Sequence, residues 1–461
     1  MKDSVGCETT GASTRGLSAL EQGLHELRCY IGDPVATVER ALKESPELVM
    51  GHVLKAYLHL LGTEPDGLPV ARNARHGAQA LPATDRERRH VQATAHLAEG
   101  RWRAAGRVLE DLSVEYPRDA LALQAGHLID FFTGDSRMLR DRIARVLPAW
   151  DRSTAGYHAI LGMHAFGLEE TGDYARAEAQ GRLSVELEPR DGWGQHSVAH
   201  VLEMQGRRRE GIAWMRANPD AWSHDNFFAV HNWWHLALFH LGLDEVDEVL
   251  ALFDGPIYGK ASNVVLDMVD ASALLWRLHL LRGVEVGERW NRIADNWLPV
   301  ATARNYAFND MHAMMAFVGA GRSRAADAVL EAQRAPMDAK GDNATFTREV
   351  GYAATQAIKA FGDGNYAETV RLLRPVRNHA HRFGGSHAQR DVIDLTLIEA
   401  ASRVGQHRMA AALLAERANA HGSPLTWLKV TGANEPGAAL ERHESDWPSI
   451  SCEVPVVQSA A

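Results

Sequence analysis

The chain has 461 residues, 46% hydrophobic and 23% charged, with a formal net charge of −10. That length exceeds one ordinary domain core, so several domains or one extended array is expected, and the acidic balance argues against nucleic acid or an anionic membrane as the main partner. No apolar run approaches the roughly 18 residues of a membrane span, no signal-like apolar stretch stands near the N-terminus, and Cys7, Cys29 and Cys452 are too few and too scattered for a disulfide framework, so a reducing cytoplasm is the expected compartment.

Residues 1–16 carry no helical period and are expected to be disordered. From residue 17 apolar residues recur three and four apart in segments of about a dozen residues, without sustained strand alternation, which predicts an all-α chain. The segments close on Gly100, Gly134, Gly172, Gly206, Gly242, Gly283, Gly321, Gly364 and Gly405, and their spacing of 34 to 43 residues marks an internal repeat. In "AEGRWRAAGRVLEDLSVEYPRD", Gly100 is followed by Trp102, Ala105, Leu109 and Pro117; in "ETGDYARAEAQGRLSVELEPRD", Gly172 is followed by Tyr174, Ala177, Gly181, Ser184 and Pro189. The small Ala lets two helices cross closely, and Pro ends the second helix because it has no N–H for the ladder. The pattern resembles the tetratricopeptide (TPR) repeat, a helix–turn–helix unit of about 34 residues. The resemblance implies about ten hairpins over residues 17–431, stacked into a superhelix (an α-solenoid). From Gly432 the period fades, and 432–461 is expected to be an irregular tail.

Of the 23 histidines, eight gather between Tyr157 and His240. His196 and His200, and then His231 and His235, are spaced four apart and so share one helix face. His196, His200 and Glu203 lie ten, six and three residues before Gly206; His231 and His235 lie eleven and seven before Gly242. Asp310 lies eleven before Gly321, with His312 two residues on. In a TPR hairpin the first helix lines a concave groove, so the resemblance turns these groups into that groove, the two pairs facing each other between helices about 10 Å apart. Two chemistries fit. Four imidazoles suit one divalent ion, zinc, iron or copper, with His196, His200, His231 and His235 as ligands. Ser197 and Asn232 stand where a His-Glu-x-x-His protease would carry Glu, which disfavours that class. Without metal, the same histidines suit acid–base catalysis, with Glu203, Asp270 and Asp310 as the available orienting carboxylates.

Around them Trp193 and Trp234 would wall a pocket for a small organic molecule, with Asp270 and His312 as polar contacts. His387 and Arg390 would reach over the groove, Arg390 as an anion clamp. For Asp270 a helix cap is the plain alternative. His158 and His164 read as facing helix partners or the rim, and His240, off the His231/His235 face, as structural.

Five blocks resemble the tetratricopeptide repeat protein 38 family: "GMHAFGLEETGDYARAE" (162–178), "SVAHVLEMQGR" (197–207), "HNWWHLALFHLG" (231–242), "DASALLWRLHLLRG" (270–283) and "GGSHAQRDVIDLTL" (384–397). The resemblance implies fold and kinship but brings no reaction with it. The reading the residues favour is an enzyme performing hydrolysis or elimination on a small organic molecule with this His/Glu/Asp cluster, with or without one metal ion. The alternative is a non-enzymatic scaffold holding a peptide or protein partner in the groove. The acidic, lysine-poor composition disfavours a carboxylate clamp for such a partner. No Gly-x-x-x-x-Gly-Lys-Ser/Thr segment is present, so no nucleotide cofactor is expected. A homodimer is compatible with the sequence.

Overall fold

The computed structural model describes residues 1–281, 284–335, 337 and 339–421. Gly283, one of the turn glycines, lies outside the described residues, as do Cys452 and the tail 432–461. Every regular element among the described residues is a helix, and none of these helices is long and apolar enough to cross a membrane. Consecutive helices pack as pairs, for example Tyr157–Glu169 on Tyr174–Leu187, Gly192–Met204 on Arg208–Arg216, and Ala229–Gly242 on Val246–Leu252.

Local chemistry sets the helix ends. Asp191 caps Gly192–Met204 by accepting from the N–H groups of Trp193 and Gly194. Trp102–Glu115 stops before Pro117, and Tyr174–Leu187 before Pro189. Gly100, Gly172 and Gly206 take positive φ (72°, 83° and 65°), the left-handed conformation that turns the chain out of a helix. Gly242 does not. It is the last residue of its helix, a Cβ on it would fall 2.3 Å from Arg208 Nε, and the left-handed turn comes at Asp244 (φ 64°). His231 and His235 therefore lie three residues further from their turn than His196 and His200 do from theirs. Three residues is close to one helical turn, so both pairs still share the inward face.

The paired helices differ in burial. Nearly every residue of Tyr157–Glu169 and Gly192–Met204 is buried, whereas the backing helix Tyr174–Leu187 buries only Ala177, Gly181 and Ser184. The first helices form an inner layer and the second helices a solvated jacket. Neighbouring inner helices pack in series, Tyr157–Glu169 on Gly192–Met204 on Ala229–Gly242 on Val265–Leu280.

The concave side of the inner layer is covered. The helix His387–Arg403 packs across the interior against both Val265–Leu280 and Gly192–Met204. Arg277 Nη2 donates to Ala388 O at 2.7 Å, and Trp276 Nε1 to Thr396 Oγ1 at 2.9 Å. The early and late parts of the chain are also tied. Glu64 Oε1 accepts from the Val265 N–H at 2.7 Å, and Tyr306 Oη donates to Phe132 O at 3.0 Å. Burying both faces of the last inner helix closes the concavity.

Residues 1–16, expected to be disordered, are ordered instead. Asp3 Oδ1 accepts from the N–H groups of Val5 and Cys7, Thr10 hydrogen-bonds to both carboxylate oxygens of Glu87, and a helix starts at Thr14, capped by Ser13. Short polar side chains tie this segment down where no apolar period announces it.

Close helix crossings give a prediction with a diagnostic sign. A Cβ on Gly167 would stand 2.5 Å from the backbone of Leu139 and Arg140. Replacing a mid-helix Gly by Ala ordinarily gains up to about 1 kcal/mol. Here Gly167→Ala is expected to lose about 1–3 kcal/mol in urea unfolding, through overpacking against a rigid backbone. A stabilised variant would show that the crossing is looser than described.

Candidate functional site

His196 and His200 on Gly192–Met204 meet His231 and His235 on Ala229–Gly242. One nitrogen from each ring lies within 4.8 Å of the others. Ring centroids are 4.4 Å apart for His196/His200 and for His200/His235, and 4.9 Å apart for His196/His231. His200 and His235 are fully buried and His196 is 2% exposed. His231 stands at the solvent edge, its side chain 12% exposed.

His231 Nδ1 donates to Asp270 Oδ2 at 2.8 Å, which fixes the tautomer and leaves Nε2 with a lone pair. That Nε2 faces His196 Nε2 at 3.1 Å. That is hydrogen-bond distance, with His231 Nε2 as the acceptor. Both ring nitrogens of His200 and His235, and Nδ1 of His196, are buried without a hydrogen-bond partner. Each such atom costs about 1–3 kcal/mol if nothing meets it.

Electrostatics hold His196, His200 and His235 neutral. Burial above all, and then the proximity of His200, His231 and His235, keeps the His196 pKa well below its ordinary value. Burial takes His200 down to about 3, against a partial upward pull from Glu170. His235 is likewise lowered by burial, then by His200, His231 and Arg277. Neutral imidazole is the form that donates a lone pair to a metal or takes up a proton.

Trp193 and Trp234 flank the ring. Trp193 packs on His196 with centroids 4.8 Å apart, and Trp234 stacks on His231 at 5.3 Å while the Arg277 guanidinium covers it at 5.3 Å. Asp270, expected as an orienting carboxylate or a substrate contact, holds His231.

Five other expected groups lie elsewhere. Glu203 faces Arg417, Arg208 and Arg277, so it is not the carboxylate that orients the ring. Asp310 accepts from Gln333 Nε2 at 3.0 Å, and burial pushes its pKa up to about 7, so it serves a core contact. His312 donates Nδ1 to its own helix at Phe308 O, and burial lowers it to about 4. His387 and Arg390 converge on Glu170, with Nδ1 at 3.2 Å and Nη2 at 3.4 Å, so Arg390 has its charge met inside the protein and is no free anion clamp. Among the histidines outside the ring, His158 donates to Asp191, His164 to Gln180 and His240 to Glu245.

Two groups escaped the reading of the sequence. Glu169 is fully buried, both its oxygens lack partners, and Oε2 lies 3.6 Å from His200 Nδ1. Burial, and then Glu170 beside it, raises its pKa well above the usual carboxylate range. His127 is buried against Trp193 at 5.5 Å, with both nitrogens unpaired. Both were detectable by register: Glu169 stands three residues before Gly172 as Glu203 does before Gly206, and His127 seven before Gly134 as His235 does before Gly242. No known protein-family model matches the chain.

A histidine whose pKa falls on folding binds more protons unfolded than folded between its two pKa values, so stability rises with pH across that window. For His200 and His127 the window runs from about 3 to the ordinary value of 6.5, and for His312 from about 4. Each buried ring is therefore expected to take away up to about 1.4 kcal/mol of stability per pH unit between about pH 6.5 and pH 5 in the metal-free protein, while Asp310, raised to about 7, acts with the opposite sign. Urea unfolding of His127→Phe is expected to lose less stability than the wild type from about pH 7 to pH 5, and an identical pH profile would mean that the ring is solvated.

Proposed function

We propose that the four-histidine ring is the centre of a metal-dependent enzyme acting on a small organic molecule by hydrolysis or elimination. The observation that carries this reading is the convergence of four imidazole nitrogens within 4.8 Å in a buried site where most ring nitrogens have no other partner. An all-imidazole set suits zinc, iron or copper. His196, His200 and His235, the three most buried rings, hold the ion. His231, oriented by Asp270 and nearest to solvent, stands over the remaining vertex as the general base, its Nε2 lone pair aimed at the ring. A metal held by three histidines supplies Lewis acidity and an activated water. Trp193 and Trp234 keep the site dry on two sides, and Glu169 positions His200 from behind.

A scaffold holding a peptide would need these rings on an open wall, and their burial beneath His387–Arg403 supports the enzyme reading over it. The packed helix pairs and the positive-φ glycines support reading the array as TPR-like repeats, and the five sequence blocks support kinship with the tetratricopeptide repeat protein 38 family. The free thiols of Cys7 and Cys29 suit a reducing compartment.

Elemental analysis of the untagged protein, purified without chelators, is expected to find about one zinc, iron or copper per chain at this site. The ion should be lost in the His200→Ala/His235→Ala double variant and kept in His231→Gln. Absence of metal from the wild type, even after incubation with each ion, would overturn the metal reading. In the cobalt-loaded protein, azide or cyanide is expected to shift the visible d–d bands, because a catalytic site keeps an exchangeable position. Bands indifferent to both anions would mark a closed structural site and contradict the enzyme reading.

A further inference from the structure

A second convergence of ligand-type side chains stands on the N-terminal helix. His25 and Cys29 lie four residues apart at the end of Thr14–Cys29, so both leave the same face. His158, in the first turn of Tyr157–Glu169, comes to meet them, and one ligand atom from each of the three lies within 4.8 Å of the others. Cys29 Sγ is 3.8 Å from His25 Nδ1. Sulfur and nitrogen on a tetrahedral zinc, at about 2.3 and 2.05 Å from the metal, stand about 3.6 Å apart.

The surroundings are those of a built site. His158 Nδ1 donates to Asp191 Oδ2 at 2.7 Å, so the ring is fixed by a carboxylate and presents Nε2, the arrangement that orients metal-bound histidines. Asp191 is itself held, accepting from Ser184 Oγ at 2.9 Å and from two backbone N–H groups. His25 and Cys29 sit at a helix C-terminus, whose partial negative charge favours a cation. His25 is half-buried and gives an ion a way in from solvent, while Cys29 is fully buried. Burial, and then Asp191 and Glu188, raises the thiol's pKa, which makes Cys29 a poor free nucleophile. Arg28 and Arg190 lie near, balanced by the same two carboxylates.

We propose that His25, Cys29 and His158 form a second metal site, taking zinc or another thiophilic divalent ion, with solvent at the fourth vertex. Binding replaces the S–H bond by a sulfur–metal bond and releases one proton to solvent. The ion would staple the N-terminal helix to Tyr157–Glu169, the helix that carries Glu169 behind the central ring.

The test is a titration of the full-length, reduced protein with Co²⁺, read in the near-ultraviolet. Only a thiolate ligand gives the intense sulfur-to-cobalt charge-transfer band, so the signal is independent of the all-histidine ring, and loss of one site is distinguishable from loss of the other. The wild type is expected to show the band. Cys29→Ser should lose it, and His25→Ala, a half-exposed substitution that the fold tolerates, should weaken Co²⁺ binding at this site by more than the roughly tenfold typical of an outer-shell change. Absence of the band at saturating cobalt, its survival in Cys29→Ser, or unchanged affinity in His25→Ala would overturn the proposal.

Discussion

An imidazole nitrogen buried with no partner costs about 1–3 kcal/mol, and where two inner helices meet this chain sets three rings with such atoms, His196, His200 and His235, in mutual contact with His231. Folding stabilities of about 5–15 kcal/mol leave little room for an arrangement of that kind unless something offsets it. Apolar residues of the same volume would pack Gly192–Met204 against Ala229–Gly242 at no such cost. A cation shared among those lone pairs would remove the penalty and turn it into binding energy, because His196, His200 and His235 are already neutral and the rings already face one another. The Asp270–His231 bond belongs to the same economy of structure: it commits one nitrogen to a carboxylate and leaves the other free toward the ring.

The rest of the architecture serves this burial. A helix jacketed on one side only could not keep His200 and His235 dry. The backing helices cover the outer side with small residues, as Ala177, Gly181 and Ser184 do, and His387–Arg403 covers the inner side. Glu170 anchors that inner helix by accepting from the His387 N–H at 2.8 Å and pairing with Arg390. Its neighbour Glu169 faces His200. Two adjacent carboxylates thus link the closing helix to the histidine ring.

Much of this was legible in the sequence, because helical period, turn glycines and terminating prolines act locally. The His196/His200 and His231/His235 pairs could be placed on one face from spacing alone, and an error of three residues in the turn beyond Gly242 did no harm, since three residues nearly complete a turn. What could not be read was set by distant partners. Register aims Glu203 and Asp310 inward, yet arginines claim the first and Gln333 the second. Arg390 looks like a clamp until Glu170, some 220 residues away, meets it. The closing of the groove by His387–Arg403 depends on the summed curvature of all the preceding pairs, which no local pattern encodes. Residues 1–13 are held by single hydrogen bonds to Glu87 and to their own backbone, a kind of order that leaves no period to detect.

The most direct measurement is anomalous X-ray diffraction at the zinc, iron and copper edges from crystals of the protein grown with its native metal complement. The expected result is one strong peak about 2.0–2.2 Å from a nitrogen of each of His196, His200 and His235, with His231 Nε2 beside the open vertex. Rings bridged by ordered water, with no anomalous peak among them after soaking in each metal, would contradict a metal centre and leave the four histidines as a hydrated polar core.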